Sequence, residues 1–428
     1  MNYQNTLEFA IKLDEQDALR SFREEFLIPK HKGKDVIYLC GNSLGLQPRS
    51  AKAYIQDQLN TWEDNAVEGW FQGNDPWLSY HKKLIGPLSE ILGAKPAEVT
   101  VMNSLTVNLH LLMVSFYKPD NKRFKIIMEA GAFPSDQYAV ESQVRFHGFD
   151  PKDAVIEIAP RNGESTLRTA DIVKQIEDNA DELALVLFSG INYYTGQFFD
   201  LEAIVGAAHK AGAYAGFDLA HAAGNVPVKL HAWGADFACW CSYKYINSGP
   251  GGISGVFVHE KHFADATLNR FAGWWGYRHD KRFLMAPGFQ PENGAEGWNV
   301  STSPIILMAL HKASLDIFEK AGGLQPLRTK SELLTGYLEY LINEVNKASG
   351  EDVYRIITPT DPAARGCQLS VVCKRNAKAI FTYLADNGVI GDWREPDVIR
   401  LSPVPLYNTF SDAFKAAEQL TKALTAIN

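Results

Sequence analysis

No stretch of the 428 residues approaches the roughly 18 consecutive apolar positions of a membrane-spanning helix. The opening MNYQNTLEFAIKLDEQDALRSF lacks both the basic start and the unbroken apolar run of a secretion signal. A cytosolic protein is expected on both counts. Cysteine is scarce and odd in number: Cys40, Cys239, Cys241, Cys367 and Cys373 lie mostly inside apolar runs, which predicts reduced core thiols rather than disulfides. The Cys239 and Cys241 pair has too few companions for a metal centre, so no metal is expected. Low-complexity tracts and internal repeats are absent as well. The 42 Lys and Arg are scattered in a chain of net charge −8, which argues against nucleic acid as a partner.

What is present is the balance of a globular chain, 46% hydrophobic and 21% charged, at a length beyond the roughly 250–300 residues of a single core. Two domains are therefore expected. Short apolar runs, KIIMEA, DAVIEIA, LALVLFSG, AYAGFDLA, DFACWCSYKY and GVFVHE, alternate with amphipathic stretches, the pattern of a mainly parallel sheet covered by helices. Near the start, ALRSFREEFLIP reads as a helix and CGNSLGLQP as a loop, together an arm entering the core. Towards the end, VYRIIT, CQLSVVCK and IRLSPV read as strands of a smaller α+β unit, between the helical AKAIFTYLADNG and SDAFKAAEQLTKAL. The helical SPIILMALHKASLDIFEKAG, stopped by Gly322 and Gly323, links the two units.

Chemistry concentrates in GFDLAHAAGNVP and DFACWCSYKYINSGPGG. Asp218 stands at the end of one expected strand and Lys244 follows the next. In open α/β sheets both would reach one crevice at the carboxyl edge. Pyridoxal 5′-phosphate needs this pair: a lysine amine for its Schiff base and an anion beside the pyridine nitrogen, which keeps the ring protonated as an electron sink. Lone Asp and Lys residues are mostly surface charges, but Lys244 lies in an aromatic, apolar run where an unpaired ammonium is costly. Glycines 249, 251, 252 and 255 do not match a dinucleotide fingerprint and fit a tight turn. Ser104 and Thr106 precede an apolar helical run, a helix start able to hold a phosphate.

NSLTVNLHLL, AFPSDQYAVESQ, NYYTGQ, GFDLAHAAGNVP, WGADFACWCSYKYINSGPGG, GWWG and IRLSPVPLYN occur in the order and spacing seen in kynureninases, from about residue 40 to 410. On these motifs the chain resembles that family, within the aspartate aminotransferase superfamily. The resemblance implies an α/β, fold type I pyridoxal-phosphate enzyme. Its arm (1–60) would pack on the small domain, its large domain (61–305) would hold a mainly parallel seven-stranded sheet flanked by helices, and a smaller α+β domain (306–428) would follow.

The resemblance also implies roles. Lys244 would bond the cofactor and act as base, Tyr243 would be an acid or a phosphate ligand, and Asp218 would pair the ring nitrogen with His221 and Asp136 nearby. Leu105, Thr106, Tyr243 and Trp274 would surround the phosphate, with Trp274 reaching in from a second subunit of a homodimer whose active sites lie at the interface. Phe133 and Pro134 would cover the ring, and Ser135, Ser189 and Thr302 would complete the cofactor's contacts. Arg400 would grip the substrate carboxylate, a guanidinium matching it bidentately. The implied reaction is hydrolysis of the Cβ–Cγ bond of L-kynurenine, or its 3-hydroxy derivative, to anthranilate or 3-hydroxyanthranilate and L-alanine, in tryptophan catabolism or NAD biosynthesis. Where animal members have a Gly-His pair and an Asn, this chain has Gly69-Trp70 and Thr302. These departures suggest a preference for the unhydroxylated substrate. A cysteine desulfurase of the same fold is disfavoured, since no Cys sits in an evident mobile loop.

Overall fold

The computed structural model describes residues 2–427. Seven strands form the main sheet: β1 (Val99–Val101), β2 (Lys125–Glu129), β3 (Val155–Ile158), β4 (Leu183–Ser189), β5 (Tyr214–Asp218), β6 (Phe237–Trp240) and β7 (Gly255–Val258). Their spatial order is β1-β7-β6-β5-β4-β2-β3, and β7 alone runs against its neighbours. The central strands are almost wholly buried because helices cover both faces, which is why LALVLFS shows no polar alternation. Two glycines fit this packing. Gly216 and Gly255 pair in register with Phe237 and Trp240, and a Cβ on either would overlap those rings.

The six strands read from the sequence are present. The seventh, β1, is only three residues long and escapes a periodicity reading. The Ala18–Pro29 stretch is not the helix expected there. An α-helix occupies Leu7–Gln16, capped by Thr6, and is followed only by a 3₁₀ turn at Arg20–Glu25 and the strand Phe26–Leu27. The Asp17 carboxylate takes the Leu19 N–H at 2.9 Å, closing a turn where the helix would have continued, and Phe26–Leu27 pairs with Gln47–Pro48.

A second sheet, all antiparallel, contains β8 (Tyr354–Ile356), β9 (Leu369–Cys373), β10 (Asp392–Arg394) and β11 (Val398–Leu401) in the order β8-β9-β11-β10. Its core is shared with the Leu324–Ser349, Ala377–Asp386 and Phe410–Ala426 helices and with Ala10 and Leu13 of the first helix. The N-terminal segment is woven into this unit: Ile37–Tyr38 pairs in parallel with Val389–Ile390, and Cys40 bridges Ser402. The segment then turns to the other unit, where the Gly45 N–H donates to Tyr243 O at 2.8 Å. A Cβ on Gly45 would overlap Lys244 O.

The Ile305–Lys320 helix packs on the Ala51–Asn65 and Lys82–Leu92 helices, and its Met308, Leu315 and Phe318 join the main core. Its His311 is wholly buried with neither ring nitrogen bonded, and burial holds its pKa down to about 3. A depressed histidine destabilises the fold in acid, because the unfolded imidazole binds a proton near pH 6.5 that the folded one refuses. The penalty begins below the unfolded pKa and grows until the folded one is reached. Between pH 8 and pH 5 it amounts to about 2 kcal/mol. His311→Leu is expected to lose about that much less stability than the parent over this interval, read from urea midpoints at the two pH values.

Candidate active site

The carboxyl edges of the sheet converge on one cavity of about 370 Å³. β4 ends at Ser189 and β5 at Asp218, which are direct partners across the ladder, and Asp218 pairs on its other side with Cys239 of β6. The chain leaving β6 supplies Cys241, Tyr243 and Lys244 to the cavity wall. The chain leaving β1 enters the Leu105–Phe116 helix, and the chain leaving β2 enters the Pro134–Phe146 helix. Five strand ends thus deliver the lining, as expected at the carboxyl edge of an α/β sheet.

At the acidic end, Asp218 accepts the Ala220 N–H at 2.7 Å, and its neighbour Asp136 is equally buried. Burial raises both carboxyls, Asp136 further because the Asp218 charge adds to it, while Lys244 opposes the rise at both. Burial thus works against both carboxyls ionising together, while Lys244 favours the charged form of each. Lys244 Nζ lies 3.0 Å from His221 Nε2. Burial and the Lys244 charge push the His221 pKa well below its ordinary value, so the imidazole is neutral. The Phe133 ring, 40% exposed, faces Lys244 with 5.8 Å from Nζ to the ring centre, and stands edge-on to Tyr193 at 5.2 Å. Two helix N-termini also meet at the cavity: Thr106 Oγ1 is 2.6 Å from Ser135 Oγ, and Ser104 spends no side-chain bond on capping its helix. Two positive dipole ends with free amides and two hydroxyls suit a phosphate.

This donor set fits pyridoxal phosphate. The cavity brings together the Asp218 carboxylate, the Lys244 amine and two helix N-termini carrying Thr106 and Ser135. Asp136 Oδ1 and His221 Nδ1 are buried without a protein partner, as expected of groups left for a ligand.

The model of the kynureninase C-terminal domain matches residues 327–420. Over nearly the full chain the sequence is 54% identical to the kynureninase of Flavobacterium psychrophilum (99% of each chain). It is 52% identical to that of Myxococcus xanthus (98% of this chain, 97% of the other) and 49% identical to that of Nematostella vectensis (98% and 94%). The chain belongs to the kynureninase family. Its fold is also that of the apo cysteine desulfurase of Thermococcus onnurineus (TM-score 0.74, 17% identity, 91% and 95% covered). The C–S lyase C-DES, solved with glycine covalently linked to its PLP cofactor, shares it too (TM-score 0.75, 16% identity, 90% and 96% covered).

Of the residues that the kynureninase motifs point to, Leu105, Thr106, Phe133, Ser135, Asp136, Ser189, Asp218, His221, Tyr243 and Lys244 all line the cavity. Pro134 does not; it opens the Pro134–Phe146 helix between Phe133 and Ser135. Trp70 is edge-on to Trp77 and Trp275, and Trp274 is edge-on to Trp275, in an aromatic cluster outside the cavity. Thr302 is exposed on the loop beyond. Arg400 is fully buried behind the wall: its guanidinium donates to Tyr193 O at 2.6 Å, to Ser43 Oγ at 3.3 Å and to the carboxylate of Asp392. Arg394 stands in the lining instead.

Sequence reading missed Asn42, Ser43, Ile191, Tyr193, Cys241 and Arg394 in that lining. Asn42 and Ser43 lie in the loop CGNSLGLQP, and Tyr193 in NYYTGQ, so both signals were in view without a role. Burial and then Cys241 push the Tyr243 pKa up, which keeps the phenol protonated.

Proposed function

We propose that this chain is a pyridoxal-phosphate-dependent kynureninase, a C–C hydrolase that splits L-kynurenine into anthranilate and L-alanine. The observation that carries the reading is the meeting of Lys244 and the Asp218 carboxylate in one cavity with two helix N-termini. Full-length relatives at about half identity support the substrate.

When bound, pyridoxal phosphate supplies an electron sink for negative charge at the substrate's Cα and for the pair released as the Cβ–Cγ bond breaks. Asp218 would hold the proton on the ring nitrogen, the helix ends at Leu105 and Pro134, with Thr106 and Ser135, would hold the phosphate, and Phe133 would cover a ring face. Lys244 would bond the cofactor and, when released, act as the base at the substrate's Cα, with the neutral His221 3.0 Å from its Nζ as hydrogen-bond partner. Water's oxygen ends in the anthranilate carboxylate, and one proton is delivered to Cβ to complete alanine. Tyr243 is the donor placed for that delivery, since its raised pKa keeps the proton on the phenol until a stronger base forms. Tyr243→Phe is expected to lower kcat by about 10²-fold while cofactor affinity changes little, a split that a phosphate ligand alone would not give.

Arg394 stands in the lining as a cation for the substrate carboxylate, and Arg400, behind the wall, would join it only by giving up its bond to Asp392. An exposed apolar patch at Phe71, Trp274, Phe283, Leu284 and Met285 fits a second copy of the chain, which would bring Trp274 and Thr302 to a neighbouring cavity. Trp70 belongs to the same cluster and has no imidazole to bond a ring hydroxyl. The hydroxylated substrate is therefore expected to show a lower kcat/KM than L-kynurenine, measured side by side by product absorbance. All five cysteines are unpaired, in keeping with a reducing cytoplasm, and no helix of the described residues is long and apolar enough to cross a membrane. The expected place is tryptophan breakdown or the supply of NAD precursors.

The test is direct. Purified protein with pyridoxal phosphate and L-kynurenine should release fluorescent anthranilate and L-alanine in equal amounts. A reducible cofactor bond without anthranilate would leave the cofactor and sink the substrate.

A further inference from the structure

The carboxyl edge of the sheet contains a third buried acid that the reaction above does not use. Glu129 ends β2, is 1% exposed, and lies behind Ser189 in the cavity wall. Its two oxygens receive the Ser189 backbone N–H at 3.3 and 3.2 Å, and one of them also accepts the Ser189 hydroxyl. The charged or titratable groups around it are Asp218 on β5, Asp136 on the Pro134–Phe146 helix and, beyond these, Lys244. The phenols Tyr193 and Tyr194 line a cavity on its other side. No Lys, Arg or His among the described residues pairs with it.

A buried carboxyl without a cation is expensive, and a glutamine oxygen could still accept from Ser189 without that cost. Holding Ser189 in place does not by itself account for an acid here. What a carboxylate does, and an amide does not, is demand a proton donor from every neighbour. We propose that Glu129 is a positioning residue for the cofactor ring: by taking the Ser189 hydroxyl proton, it leaves that side chain only lone pairs to offer the cavity beside Asp218. An acceptor there favours a protonated group on the ring edge, and so reinforces what Asp218 does for the ring nitrogen. Burial raises Glu129 to about 7, so its charge is present above neutrality and lost as the pH falls through that value. When Glu129 is protonated its own proton can turn to Ser189, whose hydroxyl is then free to donate.

The inference rests on the cofactor reading above, and the test separates the two. Full-length protein stripped of cofactor is titrated with pyridoxamine 5′-phosphate, which cannot bond Lys244, so ring binding is read without covalent chemistry. Glu129→Gln imitates the uncharged acid at every pH. The ratio of its Kd to that of the parent is expected to be near one at about pH 5.5 and to reach about tenfold at about pH 8.5, the scale of one charge-assisted hydrogen bond. In a Ser189→Ala background the same substitution should add no pH-dependent loss. A ratio flat with pH, or one that persists without the Ser189 hydroxyl, overturns the proposal. If Glu129→Gln does not fold, Ser189→Ala alone carries the test and must show the same pH-dependent weakening. A parent that binds the probe and converts L-kynurenine while the ratio stays flat fails only Glu129's role; a parent that does neither fails the cofactor reading and the inference with it.

Discussion

Lys244→Ala should lower turnover of L-kynurenine by about 10⁴-fold, because one side chain carries both the bond to the cofactor and the base at Cα. Among the described residues no other lysine lines the cavity, and His221, held neutral, would still lack a nucleophilic amine. Cofactor should nevertheless bind to the variant, reversibly, because the helix N-termini and Asp218 are untouched. The two outcomes are read together: borohydride fixes cofactor to the parent and not to the variant, while equilibrium dialysis still finds saturable binding. Anthranilate production near the parental rate would remove Lys244 from the reaction.

Asp218→Asn should cost about 10²-fold in kcat with little change in fold, because it removes the charge while keeping the shape. The Ala220 N–H at 2.7 Å keeps an oxygen acceptor, so the strand end stays ordered. What is lost is the anion that holds the ring nitrogen protonated, a charge-assisted bond in a buried site. A second effect follows in the same variant. Asp136 owes part of its raised pKa to the Asp218 charge, so its carboxyl should ionise more readily once that charge is gone. Asp136 could then take over part of the role, which would show as activity recovering with rising pH. Asp136→Asn in the same background should abolish that recovery, measured as the pH profile of kcat/KM.

The Asp218 and Lys244 pair could be read from the sequence because the chemistry demands two residue types at the ends of neighbouring strands, and the strands themselves show as apolar runs. The helix start expected to hold a phosphate was visible for a similar reason: Ser104 and Thr106 stand where an apolar helix begins, and Thr106 lines the cavity. The substrate side was not. Ser43, Tyr193 and Arg394 reach the cavity from three distant segments, and nothing local in sequence marks loops gathered by tertiary packing. Arg400 illustrates the limit. Its residue type suits a carboxylate, but its partner Asp392 faces it only through the register of β10 against β11, where the two are opposed. The Ala18–Pro29 helix failed on a different ground, since the Asp17 turn and the pairing of Phe26–Leu27 with residues far along the chain outweighed a helical pattern.

The cavity is closed by chain from both ends of the protein. Ile37–Tyr38 is paired with Val389–Ile390, and Gly45 rests on the Lys244 loop. During synthesis the segment carrying Asn42 and Ser43 is made about 350 residues before its strand partner. Until that partner appears the arm has no strand to join, and the Lys244 loop lacks its cover. The main sheet depends on pairings nearer in sequence and can form first, so the cover over the cavity is expected to be among the later parts of the fold to close.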